Sequence, residues 1–205
     1  HLDCRDRLAG VEVLQADLKL DEGGVEVFPA TAIAEIRSRT LDLLILLFDG
    51  LPSIQLSREV PYGVWWLSPG DGEFYRGGPA HFWEIREQNP ISAVTLCAAY
   101  GNNNEHVALA KARFATEQTI SVSRNRYLPY WGSTELIIEK LHELHESSWK
   151  LLLQSAKAEM SYKGERPLYG CPRNLEMASW LGPILLKKAL SYPLRKKIVQ
   201  HWKVA

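Results

Sequence analysis

The sequence predicts an α/β sheet domain over residues 1–132 followed by a helical C-terminal region over 133–205, and three observations carry that expectation. Leu41 to Phe48 (LDLLILLF) is nearly continuous in its apolar character, as in a parallel strand covered on both faces. Gly63 to Ile85 (GVWWLSPGDGEFYRGGPAHFWEI) passes from four strand-like residues through Pro69, Gly70 and Gly72 into a loop, and then into a helix. Beyond Thr116 the pattern turns helical: Ile137, Leu141, Leu144, Leu151 and Leu152 fall near one face, with Glu139, Glu143, Glu146, Lys150 and Lys157 on the other.

In chain order, Val11 to Ala16 alternates as a strand does, and Asp21 to Gly24 (DEGG) reads as a turn. Pro29 to Ser38 places Ala30, Ile33, Ala34 and Ile36 at helical spacing. The run Leu41 to Phe48 is expected as the central strand, because Asp49, Gly50 and Pro52 close it too soon for a buried helix. Val64 to Leu67 is a second buried strand, and Pro79 suits the first turn of a helix to Glu87, where its missing N–H costs nothing. Ile91 to Tyr100 and Val107 to Phe114 form a strand pair around GNNNE. Ser133 is expected to cap one long helix, with Glu135 near the positive end of its dipole, and Gly164 and Pro167 end it. A last helix over Asn174 to Leu190 is expected to be interrupted by Gly182 and Pro183.

Composition limits the function. The chain has 205 residues with 46% hydrophobic content, enough for one core or a domain with an appendage. Lys+Arg 24 against Asp+Glu 24 gives no net charge, so the chain as a whole offers no electrostatic case for nucleic acid. Cys4, Cys97 and Cys171 are widely spaced and odd in number, which fits neither a CxxC metal site nor a disulfide framework and suggests a reducing, cytoplasmic setting. No apolar run reaches the length of a transmembrane segment. The one local charge bias is the tail, where Lys187, Lys188, Arg195, Lys196, Lys197 and Lys203 occur with no acid between them; it reads as a linker helix or as a surface for membrane or nucleic acid.

The long loop is the first place to seek a site, since ligands of open α/β sheets collect beyond the carboxyl ends of strands. Arg76 reads either as an anion ligand or as a pin holding its loop through backbone carbonyls. Gly77 and Gly78 let backbone approach a ligand or another chain segment. Asp71 and Glu73 read as an acid–base pair or, among turn residues, as a solvated loop. His81 falls in a first helical turn, which disfavours its cation, and faces either the loop or the core. Asn102, Asn103 and Asn104 are a polar cluster or simply a tight turn. HELHE (His142 to Glu146) lacks the HExxH spacing and sits on a charged helix, so no metal is expected. SVSRNR (Ser121 to Arg126) opens a helical turn that either binds phosphate or joins sheet to helix.

The stretch from Gly63 to Ile85 also resembles, without a gap, the core motif of the folate-dependent formyltransferases, in which a strand ends in Asn-x-His-Pro and a loop leads to Tyr-Arg-Gly and a helix. NPISAVTL (Asn89 to Leu96) resembles that family's strand ending in Gly-Val-Thr, and GNNNE falls at its Asp-x-Gly turn. The run YRGGP, the pair Trp83–Glu84, SVSRNR and PRNLEMA (Pro172 to Ala178) resemble more closely the formyltransferase-like domain of glucosamine inositolphosphorylceramide transferase-like proteins. The resemblance implies a Rossmann-like formyltransferase-type sheet flanked by helices and lacking its first βα unit. It implies 10-formyltetrahydrofolate as one-carbon donor if the domain is active. At the family's catalytic Asn, His and Asp stand Trp66, Ser68 and Asn104. An indole cannot replace a carboxamide, a serine has no pKa near neutrality and an asparagine is no base. The expectation is a degenerate domain that binds a small molecule, a neighbouring domain or its own copy. The alternative is a one-carbon transferase acting on an amine of a sugar- or nucleotide-like substrate, with Ser68, Asn104, His81 and Asp71 as catalytic candidates and Trp66, Arg76, Gly77 and Gly78 around the ligand.

Overall fold

The computed structural model describes residues 10–12, 19–20, 26–47, 54–101, 105–117, 121–158 and 162–201. Two short strands, β1 (Lys19–Leu20) and β2 (Glu26–Val27), pair antiparallel. Then follow α1 (Ala30–Ser38), β3 (Leu44–Leu46), α2 (Ile54–Ser57), β4 (Val64–Pro69), α3 (Phe82–Arg86), β5 (Ile91–Tyr100) and β6 (Glu105–Ala115). The rest is mostly helical: α4 (Val122–Gly132), α5 (Thr134–Glu146), α6 (Trp149–Ser155), the two-residue β7 (Lys157–Ala158) and α7 (Asn174–His201). Five strands hydrogen-bond in the order β3-β4-β5-β6-β7. β3 runs parallel to β4 with Leu44 opposite Val64, whereas β6 and β7 are antiparallel with Val107 opposite Ala158. The sheet is therefore mixed, an α/β fold of the class the sequence predicts. Among the described residues no helix is long and apolar enough to cross a membrane.

Leu41 to Phe48 is not the central strand. Among the described residues of that run only Leu44–Leu46 is strand, it stands first in the order, and Ile45 and Leu47 are 39% and 85% exposed. The middle place belongs to β5, whose residues Ser92 to Leu96 are all buried. A continuous apolar run reports burial propensity and not position in a sheet, and a strand at the end of the order has one neighbour to cover it. The turn expected at Asp21 to Gly24 lies outside the described residues, as does most of the expected strand Val11 to Ala16.

The chain divides into two compact units. In the first, His1–Trp66 with Ala98–His106, the core is Leu56, Val60 and Val64, packed with Phe28, Ile33, Ile36, Leu41, Leu44 and Leu46. Gly63 turns the chain into β4 at φ 74°, and a Cβ there would lie 2.3 Å from the Ala99 carbonyl oxygen, so the position needs glycine on both counts. In the second, Leu67–Cys97 with Val107–Ala205, an aromatic cluster of Phe82, Trp83 and Tyr169 packs with Tyr75, Val122, Met177 and Trp180. Its rings meet edge-on or tilted at 5.0–5.3 Å, the arrangement that ring quadrupoles favour.

Three helices differ from expectation. Pro79 does not open α3: the Gly78–Pro79 peptide is cis, His81 is left-handed at φ 62°, and regular helix begins only at Phe82. The helix expected to be long from Ser133 breaks at Ser147, after which the Ser148 hydroxyl accepts the Leu151 N–H and starts α6. A second local cap competes successfully with continuation, because it satisfies an amide that the break would orphan. α7 continues through Gly182 and Pro183. Pro183 has no N–H for the Ser179 carbonyl, and Ser179 is exposed, where a carbonyl without a helical partner costs least.

Candidate functional site

The loop beyond β4 is built around Asp71. Its carbonyl accepts the amides of Phe74 and Tyr75 at 2.8 and 2.7 Å, and its carboxylate accepts the Glu73 amide at 3.1 Å, an Asx turn that folds the loop back on itself. Gly70, at φ 95°, donates its amide to the Ala93 carbonyl at 2.9 Å and fixes the loop to β5. Ser68, at the carboxyl end of β4, is half-buried.

Asp71 and Glu73 are not a solvated pair. Lys111 of β6 places Nζ 2.6 Å from Asp71 Oδ1 and 3.0 Å from Glu73 Oε1, and the Asp71, Glu73 and Lys111 side chains are 8%, 14% and 8% exposed. Lys163 reaches the other Glu73 oxygen at 3.3 Å. Hydrogen bonds from Lys111 and then Lys163 hold the Glu73 carboxyl below the usual carboxylate range. The cluster keeps both acids occupied by cations, which suits them to holding the loop rather than to moving protons. Lys111 is absent from the residues singled out in the sequence. Its signal was the strand alternation: it shares a face with Leu109, which is 5% exposed, so its charge had to find a partner inside.

Arg76 donates Nε to the Gly72 carbonyl at 3.2 Å, and its guanidinium lies 4.9 Å from the centre of the Tyr162 ring. At Gly77 the close approach is made by the chain itself. A Cβ there would stand 2.1 Å from the Tyr169 carbonyl oxygen, and the Tyr169 amide bonds the Arg76 carbonyl at 2.7 Å while the Gly78 amide bonds Tyr169 O at 2.9 Å. Trp83 locks the same crossing by donating Nε1 toward the carbonyls of Gly78 and Gly170 at 3.3 and 3.2 Å. Arg166 covers the Trp83 ring at 4.5 Å and pairs with Glu176 at 3.0 Å.

His81 faces the core. It is fully buried, with Nδ1 3.8 Å from Glu84 Oε1, and neither of its ring nitrogens nor that oxygen has a hydrogen-bond partner. Burial first, and then the nearby Arg126 cation, pushes the imidazole down to about 4, so it is neutral at pH 7. Burial, aided by Asp71 and Glu87, pushes the Glu84 carboxyl up to about 7. The left-handed turn at His81 is held from α4: Arg126 donates to the Ala80 carbonyl at 3.0 Å, and Asn125 donates to the His81 carbonyl and to Ser92 Oγ, each at 3.3 Å. Asn125 Oδ1 in turn accepts the Glu117 amide at 2.7 Å. SVSRNR thus joins strand to helix, with Ser121 accepting the Arg124 amide and Arg124 ion-paired to Glu117.

Trp66 belongs to the other unit, where it is 5% exposed and meets His106 edge-on at 5.5 Å. Asn102, Asn103 and Asn104 lie outside the described residues. Of the sequence-derived candidates, the second unit therefore gathers Ser68, Asp71, Arg76, Gly77, Gly78 and His81 on one loop and the start of α3, and the structure adds Lys111, Lys163, Glu84 and Asn125. Among the described residues no group of three or more His, Cys, Asp or Glu side chains is placed to hold a metal ion.

No family model matches the chain, and no curated protein does. Among solved structures, HypX from Aquifex aeolicus crystallised with tetrahydrofolic acid is similar at TM-score 0.50 and 21% identity, over 71% of this chain and 23% of HypX. A multiply substituted variant of the same HypX gives TM-score 0.53 at 18% identity, over 73% and 26%. The fold is formyltransferase-like. The chain spans about a quarter of the HypX chain, and the likeness concerns the fold alone. The sugar 3N-formyl transferase WlaRD, crystallised with dTDP and 5-N-formyl-THF, matches 58% of this chain at 12% identity and TM-score 0.37, too distant to carry an argument. In this formyltransferase-like setting, the loop after β4 is where the sequence resemblance puts the reacting groups.

Proposed function

We propose that this formyltransferase-like domain is non-catalytic and serves as a ligand-binding or assembly module. The observation that carries the reading is the occupancy of its loop. Backbone from Tyr169 fills the approach that Gly77 would offer a ligand, Lys111 holds the two loop carboxylates, and His81 is shut in the core. The described loop residues do not fit a bound folate. Exposed Tyr127, Leu128 and Trp131 on α4, at 57–68%, support a role in assembly with a neighbouring domain or a second copy. A second reading, formyl transfer to an amine by Ser68, Asn104, His81 and Asp71, is favoured by the fold shared with HypX, which was crystallised with tetrahydrofolic acid.

Calorimetric titration with 10-formyltetrahydrofolate separates the two. No saturable heat is expected from the folded chain. Saturable binding that disappears in Arg76→Ala would place a folate at the loop and overturn the occupied-loop argument, and release of tetrahydrofolate from the bound donor on addition of an amino sugar would overturn the non-catalytic reading.

A further inference from the structure

A cleft of about 340 Å³ opens between the end of α3 and α7, lined by Arg86, Gln88, Ser179, Trp180, Pro183 and Ile184. All six belong to the second unit, and none to the loop after β4. The volume is at the lower end of small-molecule pockets, which start at about 300 Å³. Its walls differ in character. On the α7 side Trp180, Pro183 and Ile184 recur at helical spacing, and the half-buried Trp180 ring is braced edge-on by Phe82 at 5.3 Å. On the α3 side stands Arg86, its guanidinium 5.3 Å from the centre of the Trp83 ring. Arg166 covers that same ring but is paired with Glu176, whereas Arg86 has no acid within ion-pair distance among the described residues, and its buried Nε has no hydrogen-bond partner. Glu176 of α7 and Glu87, next to Arg86 in sequence, are engaged elsewhere: Glu176 by Arg166 at 3.0 Å and the Arg173 amide at 2.9 Å, Glu87 by the Tyr169 hydroxyl at 3.4 Å.

We propose that this cleft binds a small aromatic carboxylate, its ring against Trp180, Pro183 and Ile184 and its anion on Arg86. With Nε turned inward, the terminal nitrogens of Arg86 are left to face the cleft, and their planar pair matches a carboxylate. A cation held against a ring and partly out of water gains more from such a partner than a fully solvated one does. Gln88, on the same wall, has a carboxamide N–H to add to the anion. The indole and the proline give a flat body its apolar wall. A phosphate suits the site less: it brings about −1.5 to −2 charge to a single unpaired cation and has no flat face for the indole. Because no loop residue lines the cleft, folate binding at the loop and carboxylate binding here succeed or fail separately.

The test is NMR titration of the isotope-labelled whole chain with benzoate, benzamide, acetate and inorganic phosphate, read from the Trp180 indole N–H and the Arg86 Nε–H signals. Benzoate is expected to shift both signals saturably. Benzamide, the uncharged isostere, is expected to bind about 10- to 100-fold more weakly, the worth of a hydrogen bond to a charge, and Arg86→Gln is expected to weaken benzoate by the same factor. Acetate, which keeps the charge without the ring, is expected to lose about tenfold. Four results would each overturn the proposal: no saturable shift with benzoate, equal binding of benzamide, equal binding of acetate, or benzoate binding untouched in a folded Arg86→Gln variant. Phosphate binding as tightly as benzoate would make the cleft a general anion site and sink the aromatic carboxylate. If Arg86→Gln loses its dispersed spectrum, the benzamide and acetate comparisons on the native chain decide the matter alone.

Discussion

Replacing Glu84 by glutamine should change how the stability of this domain depends on pH, and in a direction the geometry fixes. Glu84 is 1% exposed, Oε1 has no hydrogen-bond partner, and burial pushes its carboxyl from 4.5 up to about 7. Below 4.5 the acid is protonated in both folded and unfolded chains and enters the core neutral. As pH rises through about 7 the unfolded chain ionises first, and the fold loses what the neutral form contributed. At 1.36 kcal/mol per tenfold change in proton affinity, the gap between 4.5 and about 7 is about 3 kcal/mol. His81 acts oppositely: lowered from 6.5 to about 4, it contributes stability that is present above 6.5 and lost as pH falls through 4. In the native chain the two slopes nearly cancel between 4.5 and 6.5. In Glu84→Gln only the His81 slope remains, so the variant should match the native chain near pH 4.5 and exceed it by about 3 kcal/mol at pH 8. Urea unfolding of both proteins at pH 4.5, 6, 7 and 8 measures this. A difference that stays constant across the series, or a variant less stable at pH 8, would refute the assignment of Glu84 as an acid raised by burial.

Two further outcomes follow from the same loop. Lys111→Ala leaves Asp71 and Glu73 facing each other without their shared cation, and is expected to cost about 3 kcal/mol at pH 7 in urea unfolding. Because the native Glu73 carboxyl is held low, its stabilisation is present above 4.5 and fades as pH falls, so the penalty should shrink toward acid; an equal penalty at pH 4 and 7 would argue for lost packing instead. Gly77→Ala adds a Cβ 2.1 Å from Tyr169 O at a φ of 103°, and is expected to cost about 2–4 kcal/mol while speeding hydrogen exchange at the amides of Gly78 and Tyr169. Unchanged exchange there would show that the crossing does not depend on glycine.

Some elements were legible because their information is local. The strand-to-loop change at Pro69 to Gly72, the α1 pattern and the start of α4 at Ser121 all rest on neighbouring residues: turn formers, helical spacing and a capping hydroxyl. Glycine at 77 was readable as a close approach, but what approaches, Tyr169, stands 92 residues along the chain and leaves no mark near the glycine. Ser148 was the converse case: a cap was visible in principle, yet the flanking leucines favoured continuation, and only the packed structure chose between them.

By itself the sequence determined the α/β class, the strand pair from Ile91 to Phe114 and the loop between β4 and α3, since periodicity and backbone restriction act over a few residues. Tertiary structure alone decided that the apolar run at Leu41 is an end strand, that Asp71 and Glu73 share Lys111, and that His81 and Glu84 are enclosed together. The reason is physical: desolvation and charge pairing depend on which distant segments meet, and a residue's partner across a sheet is set by register, which no local pattern records.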